Sequence, residues 1–219
     1  MTLTVEEEPA FNLTDVDRAV LAQTDDEFIY HDWEDLKDII ARGDLGILKR
    51  KPSDLRLYLH WTSTVKKEYG TITNYICLNR LHWPIPTETS PLQYANATPF
   101  ADASDYKILR NDWPYGLASG ISHLVVWSRT PIPVVEDGRG VITEGSKGLI
   151  EGFVRRTFVD RLVRDGMRVT EAEDRVLWFK NYTALQSVRG LEHVHVLMRD
   201  VEEKFLVEWT GEETTSKYL

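Results

Sequence analysis

Apolar residues recur along the chain with two different periods, and the change from one to the other organises it. Asp32 is placed to cap a helix over "WEDLKDIIAR" that ends at Gly43, a residue suited to the left-handed position after a helix. Pro52 and Ser53 open a second helix, in which Leu55, Tyr58, Leu59 and Thr62 form one stripe and Gly70 is the stop. "TNYICLNRL" predicts a third, short helix. From about Pro84 to Asp105 the chain is rich in Pro, Thr, Ser and Ala and reads as a long surface loop. Such loops are uncommon in compact domains unless they serve a site or are mobile.

In the second half the period shortens. "DYKILRND" and "ISHLVVWSRT" read as strands, the latter with Ile121, His123, Val125 and Trp127 on one face, and "WPYGLASG" supplies the tight connection between them. An amphipathic helix from Ser146 to about Arg164 turns Leu149, Ile150, Phe153, Val154 and Leu162 inward. "RVLWFKN" and "HVHVLMR" are two further strands, and "EEKFLVEW" a terminal helix. Residues 1–23 lack a period and read as a flexible arm before a single domain over 24–219. N-terminal helices followed by a mainly antiparallel sheet define an α+β fold.

The strand "HVHVLMR" is where the pattern becomes chemistry. Alternation puts His193, His195 and Leu197 on one face and Val194, Val196 and Met198 on the other, so two imidazoles share a surface. A metal would need a third ligand, His123, Glu192 or Asp200, and no carboxylate follows at a diagnostic spacing. Acid/base work is the better reading, and no metal is expected. Three other patches set polar groups beside aromatics: "NDWPYG" with Asp112, Trp113 and Tyr115, "SHLVVW" with His123, and "WFKNY" with Trp178, Lys180 and Asn181. Flat apolar walls with a few fixed polar groups are the usual makeup of a small-molecule pocket.

Composition narrows the choice. At 219 residues with 42% hydrophobic content the chain can build one substantial core. The formal charge of −9 argues against a protein that coats nucleic acid. Basic residues nonetheless cluster at Lys49, Arg50 and Lys51, at Lys66 and Lys67, and at Arg155 and Arg156, where a local basic surface can form. The lone Cys77 excludes an internal disulfide and reads first as a buried structural thiol. No apolar run approaches the roughly 20 residues of a membrane helix, and the N-terminus is acidic, so a soluble cytoplasmic protein is expected. A phosphate-binding GxxxxGK[ST] is absent, and no cofactor is expected.

Two resemblances bear on function. "QSV" upstream of "HVHVL" resembles the histidine-triad nucleotide hydrolases and transferases, with His195 as the middle, nucleophilic His and Leu197 where the third would stand. That likeness implies a histidine-triad-like fold and phosphoryl chemistry. A far broader one rests on "PSDLR", "NDWPYG", "HLVVWSRTPIP", "FVRRTFVDRL", "LWFKN", "LQSVRGLEHVHVLMRDV" and "EWTGE", which occur in this order from about Asp32 to the tail. Together they resemble the fungal N-acetylglucosamine-induced protein family, a domain of unknown function whose wider relatives include arginine-containing cyclodipeptide synthases.

The latter resemblance implies condensation of arginine with a second amino acid, both delivered as aminoacyl-tRNA, into a diketopiperazine. Such chemistry asks for a base, for which His195 or His193 serves, oriented by Glu192 or Asp200. It asks for carboxylates to pair with guanidinium, Asp112 or Glu151, within a pocket to which Trp113, Tyr115, His123, Trp178, Lys180 and Asn181 contribute. If an acyl-enzyme forms, Ser187 is the first nucleophile and Cys77 the second. The basic clusters would hold the tRNA acceptor arm. The family's name implies a third, non-enzymatic possibility, a regulatory ligand-binding module.

Overall fold

Capping and period, read locally, account for most of the elements. The computed structural model describes residues 13–213. Helix α1 (Asp15–Leu21) is closed at its start by a reciprocal Thr14–Asp17 capping box. Its Val20 is buried against Leu55 and Tyr58 of a later helix. The described part of the expected arm is therefore a docked helix; residues 1–12 lie outside the described residues. A seven-residue helix is marginal alone, and packing rather than propensity stabilises it.

Helix α2 (Trp33–Arg42) starts where expected, with the Asp32 carboxylate accepting from the Asp35 N–H, and stops at Gly43, whose φ of 74° is left-handed. Helix α3 (Pro52–Tyr69) follows, and then α4 (Ile72–Tyr75), which widens into a π-helical turn over Ile76–Leu81. Strands β1 (Tyr106–Arg110) and β2 (Ile121–Ser128) precede α5 (Glu144–Val154), which passes through a π segment (Arg155–Val159) into α6 (Asp160–Arg164). The short α7 (Val169–Asp174) has no counterpart in the sequence reading. Strands β3 (Val176–Phe179) and β4 (Glu192–Arg199) and helix α8 (Glu203–Thr210) complete the order.

The four strands form one antiparallel sheet ordered β1-β2-β4-β3. Both faces are covered. Leu124, Val126, Val194, Val196 and Met198 pack with Phe153, Phe158 and Leu162 of the C-terminal helices. On the opposite face, Val125, Trp127 and Leu109 meet the π turn after α4, while Phe179 and Leu197 meet Trp33, Leu36 and Ile39 of α2. The histidine face thus lies under the N-terminal half of the chain. That placement makes the site a buried one.

One buried carboxylate anchors the middle of the long loop, beside bonds from Thr130 to the Asn96 carbonyl and from Arg156 to the Phe100 carbonyl. Asp105, 1% exposed, accepts from the Ala95 and Asn96 N–H groups at 2.7 and 2.8 Å. Asp105→Ala would strand both donors, at about 1–3 kcal/mol each. A lower urea midpoint and faster proteolysis between residues 84 and 105 are expected; an unchanged midpoint would mean the loop is held by other contacts.

Candidate functional site

Antiparallel register brings a third histidine to the pair. Val125 lies opposite His195, Trp127 opposite His193, and His123 opposite Leu197, so all three imidazoles project from the same face of two central strands. His123 Nε2 and His195 Nδ1 are 2.9 Å apart. The Asn181 amide Nδ2 donates to His195 Nε2 at 3.2 Å and to the Tyr115 hydroxyl at 3.1 Å. At the other end Asn111 Oδ1 accepts from the Trp113 N–H at 2.9 Å, which turns its Nδ2 toward the His123 ring at 3.2 Å.

These bonds assign the protons. With the Asn181 amide turned so that its Nδ2 meets His195 and its Oδ1 is left without a partner, His195 Nε2 accepts, and its proton sits on Nδ1 and is donated to His123. Both nitrogens of His195 are occupied. His193 differs: its Nδ1 donates to the Leu191 carbonyl at 2.9 Å, and Nε2 has no protein partner among the described residues. Burial pushes His193 down to about 4 and His123 to about 3, the latter helped by the Arg50 charge. His195 lies well below the usual histidine range, through burial and then the neighbouring imidazoles. At neutral pH the group is uncharged, and its one open lone pair is on His193 Nε2.

That lone pair borders a cavity of about 110 Å³. One wall is aromatic: Trp61 lies 5.9 Å from Tyr58, 5.3 Å from Tyr75 and 5.4 Å from Trp113 between ring centroids. Trp127 backs His193 at 4.8 Å, and Phe179 stacks on His195 at 4.8 Å. Asp112 reaches the same space and is held by Arg80 Nε at 2.8 Å, while Arg80 Nη1 donates to Glu212 at 2.5 Å. Arg50 enters from the segment before α3, its guanidinium 4.1 Å from the Tyr58 ring and its Nε donating to the Trp113 carbonyl at 3.1 Å.

Several residues expected at this site stand elsewhere, because alternation with period two separates sequence neighbours. Phe179 and Asn181 face the histidines, but Trp178 and Lys180 face the other layer, where with Glu151 of α5 they line a separate cavity. Glu192, one residue before His193, also points there, its carboxylate 3.2 Å from Lys180 Nζ. Neither Glu192 nor Glu151 reaches the imidazoles. Asp200 lies five residues beyond His195, about 17 Å along the strand, too far to orient it. Ser187 lines the cavity mouth, exposed and without a hydrogen bond to an imidazole. Cys77 is fully buried, which pushes its thiol up, away from nucleophile duty.

The basic clusters also part company. Lys51 pairs with Asp25 at 3.4 Å, and Lys66 and Lys67 sit near the far end of α3, roughly 22 Å away at the helical rise. Lys49 lies over the Phe28 ring. Arg155 pairs with Glu173 at 2.9 Å and Arg156 donates to the Phe100 carbonyl at 2.6 Å, both on the C-terminal helical layer. Pocket residues outside every stretch that the sequence pattern marked as a candidate site are Trp61 and Arg80, whereas Asn111 and Trp127 fall within "NDWPYG" and "SHLVVW". Trp61 was legible as the i+3 neighbour of Tyr58; Arg80 had no signal, since only the fold brings it to Asp112.

The pattern of one described family, "Protein of unknown function (DUF3605)", matches residues 32–199, which hold all three histidines, Asn111, Asn181, Arg50 and Arg80. The chain belongs to the DUF3605 family. It is similar to N-acetylglucosamine-induced protein 1 of Candida albicans, 29% identical over 188 residues that cover 80% of this chain and 71% of that one. It is 30% identical to the uncharacterized protein YPL067C of Saccharomyces cerevisiae, across 80% of this chain and 82% of that protein. A solved structure described as "Crystal Structure of HTC1" superposes with a TM-score of 0.58 at 30% identity, covering 81% of this chain and 90% of the other. Among the described residues of this DUF3605 protein, no group of three or more His, Cys, Asp or Glu is placed to hold a metal, and no helix is long and apolar enough to cross a membrane.

Proposed function

We propose that this DUF3605 protein is an aminoacyl-tRNA-dependent cyclodipeptide synthase with arginine as one substrate. The observation that carries the reading is His193: a neutral imidazole with its Nδ1 proton fixed on a backbone carbonyl and its Nε2 lone pair on an aromatic-walled cavity. In the reaction the α-amine of one aminoacyl ester attacks the ester carbonyl of the other. The C–N bond forms, His193 Nε2 takes the amine proton, and the ester C–O bond breaks as the ribose hydroxyl leaves and receives that proton. A second attack of the same kind closes the ring and releases the second tRNA. The esters are already activated, so no nucleoside triphosphate enters.

Arginine fits the wall. A guanidinium gains from stacking on Trp or Tyr faces, and the cavity already holds that of Arg50 against Tyr58. Asp112 stands at the edge of the same wall. Phosphoryl transfer by His195, the histidine-triad reading, would need a free ring nitrogen there, and both are engaged by His123 and Asn181.

The test is mass spectrometry of metabolites from cells expressing the chain, repeated in vitro with charged arginyl-tRNA. An arginine-containing diketopiperazine is expected, and ribonuclease added after charging should stop its formation. Product that survives complete tRNA digestion, or binding of amino acids without turnover, would sink the synthase reading.

A further inference from the structure

The cavity at His193 is small for any complete ligand of this chemistry, and it is not closed. A second chamber of about 490 Å³ adjoins it, and Arg50, Tyr58 and Ser187 line both. Cavities of roughly 300–1,000 Å³ suit whole small molecules, so the outer chamber takes the bulk of a ligand whose narrow end reaches the inner one. Its walls include the apolar side chains of Leu45 and Leu48, with Arg189 at an exposed position.

Arg50 stands where the two spaces meet. Its Nε is used by the Trp113 carbonyl and its plane rests on Tyr58, but both terminal amino groups lack a protein acceptor among the described residues. Two carboxylates stand near but bond elsewhere: Asp54, which feels the Arg50 charge, lies 3.9 Å from Lys51, and Asp17, which also lines the outer chamber, closes the α1 capping box. A guanidinium held flat, with four N–H donors open and no carboxylate bonded to them, is a seat for a phosphate oxygen pair. The fork is fixed before any ligand arrives, which lowers the cost of binding one.

We infer that the outer chamber binds a nucleoside phosphate, with Arg50 as the residue that recognises its phosphate, so that an acyl group on the ribose enters the inner cavity toward His193. This rests on the proposed function, in which the bound group is the terminal nucleotide of the charged tRNA. Arg50 is then a specificity residue inside the site.

The test uses the full chain and three probes, AMP, adenosine and inorganic phosphate, with binding read by calorimetry. AMP should bind at least tenfold more tightly than adenosine and than phosphate. Arg50→Gln should reduce AMP to the level of adenosine, and His193→Ala should leave the preference intact. Arg50→Lys, which keeps the charge but not the fork, covers the case in which Arg50→Gln fails to fold and should lose most of the preference. Equal binding of AMP and adenosine, phosphate competing as well as AMP, or an unchanged preference in a folded Arg50 variant would each overturn the assignment. Diketopiperazine formation without any AMP preference would overturn the chamber alone, and an intact preference without diketopiperazine would overturn the synthase reading alone.

Discussion

His193→Ala is expected to lower diketopiperazine formation by roughly 10²- to 10⁴-fold, the usual contribution of a positioned general base. The substitution removes one hydrogen bond, to the Leu191 carbonyl, and leaves the His123–His195 pair in place, so the far-ultraviolet spectrum should be retained. Added imidazole should restore part of the rate by occupying the space vacated next to Trp127. His195→Ala behaves differently. It strands Asn181 and His123 in the interior, at about 1–3 kcal/mol for each group left unpaired, and imidazole rescue should be weak because the whole chain of bonds must be rebuilt. Full turnover in His193→Ala, or equal rescue of both variants, would move the base away from His193.

Stability should fall steeply in mild acid. His193 and His123 titrate at about 4 and about 3 in the folded protein, and His195 well below its ordinary range, against about 6.5 in the unfolded chain. Below pH 6.5 the unfolded state binds protons that the folded state refuses, so ΔG of unfolding rises with pH in this window. Each histidine adds about 1.4 kcal/mol per pH unit once the unfolded imidazole is mostly protonated. The contribution is complete above about pH 6.5. It is lost as pH falls, until about 4 for His193 and about 3 for His123. Carboxylates held low by partners, such as Asp174 beside Lys37 and Asp25 beside Ser53, add to the loss only at lower pH, so between 6.5 and 5 the imidazoles dominate, the half-buried His31, which burial also pushes down, among them. Urea midpoints measured across it should drop, and His123→Phe, which deletes one titrating group while keeping an aromatic ring, should flatten the dependence. A midpoint constant from pH 7 to 5 would show that the imidazoles are protonated in the folded state.

Much of this was legible in the residues, because it depends on local geometry. Alternation in "HVHVLMR" places His193 and His195 on one face whatever the strand pairs with, and Asp32 and Gly43 mark the ends of α2 through side-chain and backbone rules that act over a few residues. The aromatics of "NDWPYG" likewise announced a wall of the pocket. The same alternation, applied to "WFKNY" and to Glu192, would have separated Trp178, Lys180 and Glu192 from the imidazoles, and the difference lay in grouping them by proximity in sequence. Other features could not be read this way. α1 and α7 are too short to carry a periodic signal and exist because their apolar residues find partners in α3 and in the C-terminal layer. His123 joins His195 only through the register of β2 with β4, and Arg80 meets Asp112 and Glu212 only through the path of the π turn. Arg50 looked like one member of a basic run, yet it turns inward while Lys51 pairs at the surface. Sequence determines which side of an element a residue takes, since that follows from the backbone repeat; what lies across from it is fixed by contacts between distant segments, which only the packed chain selects.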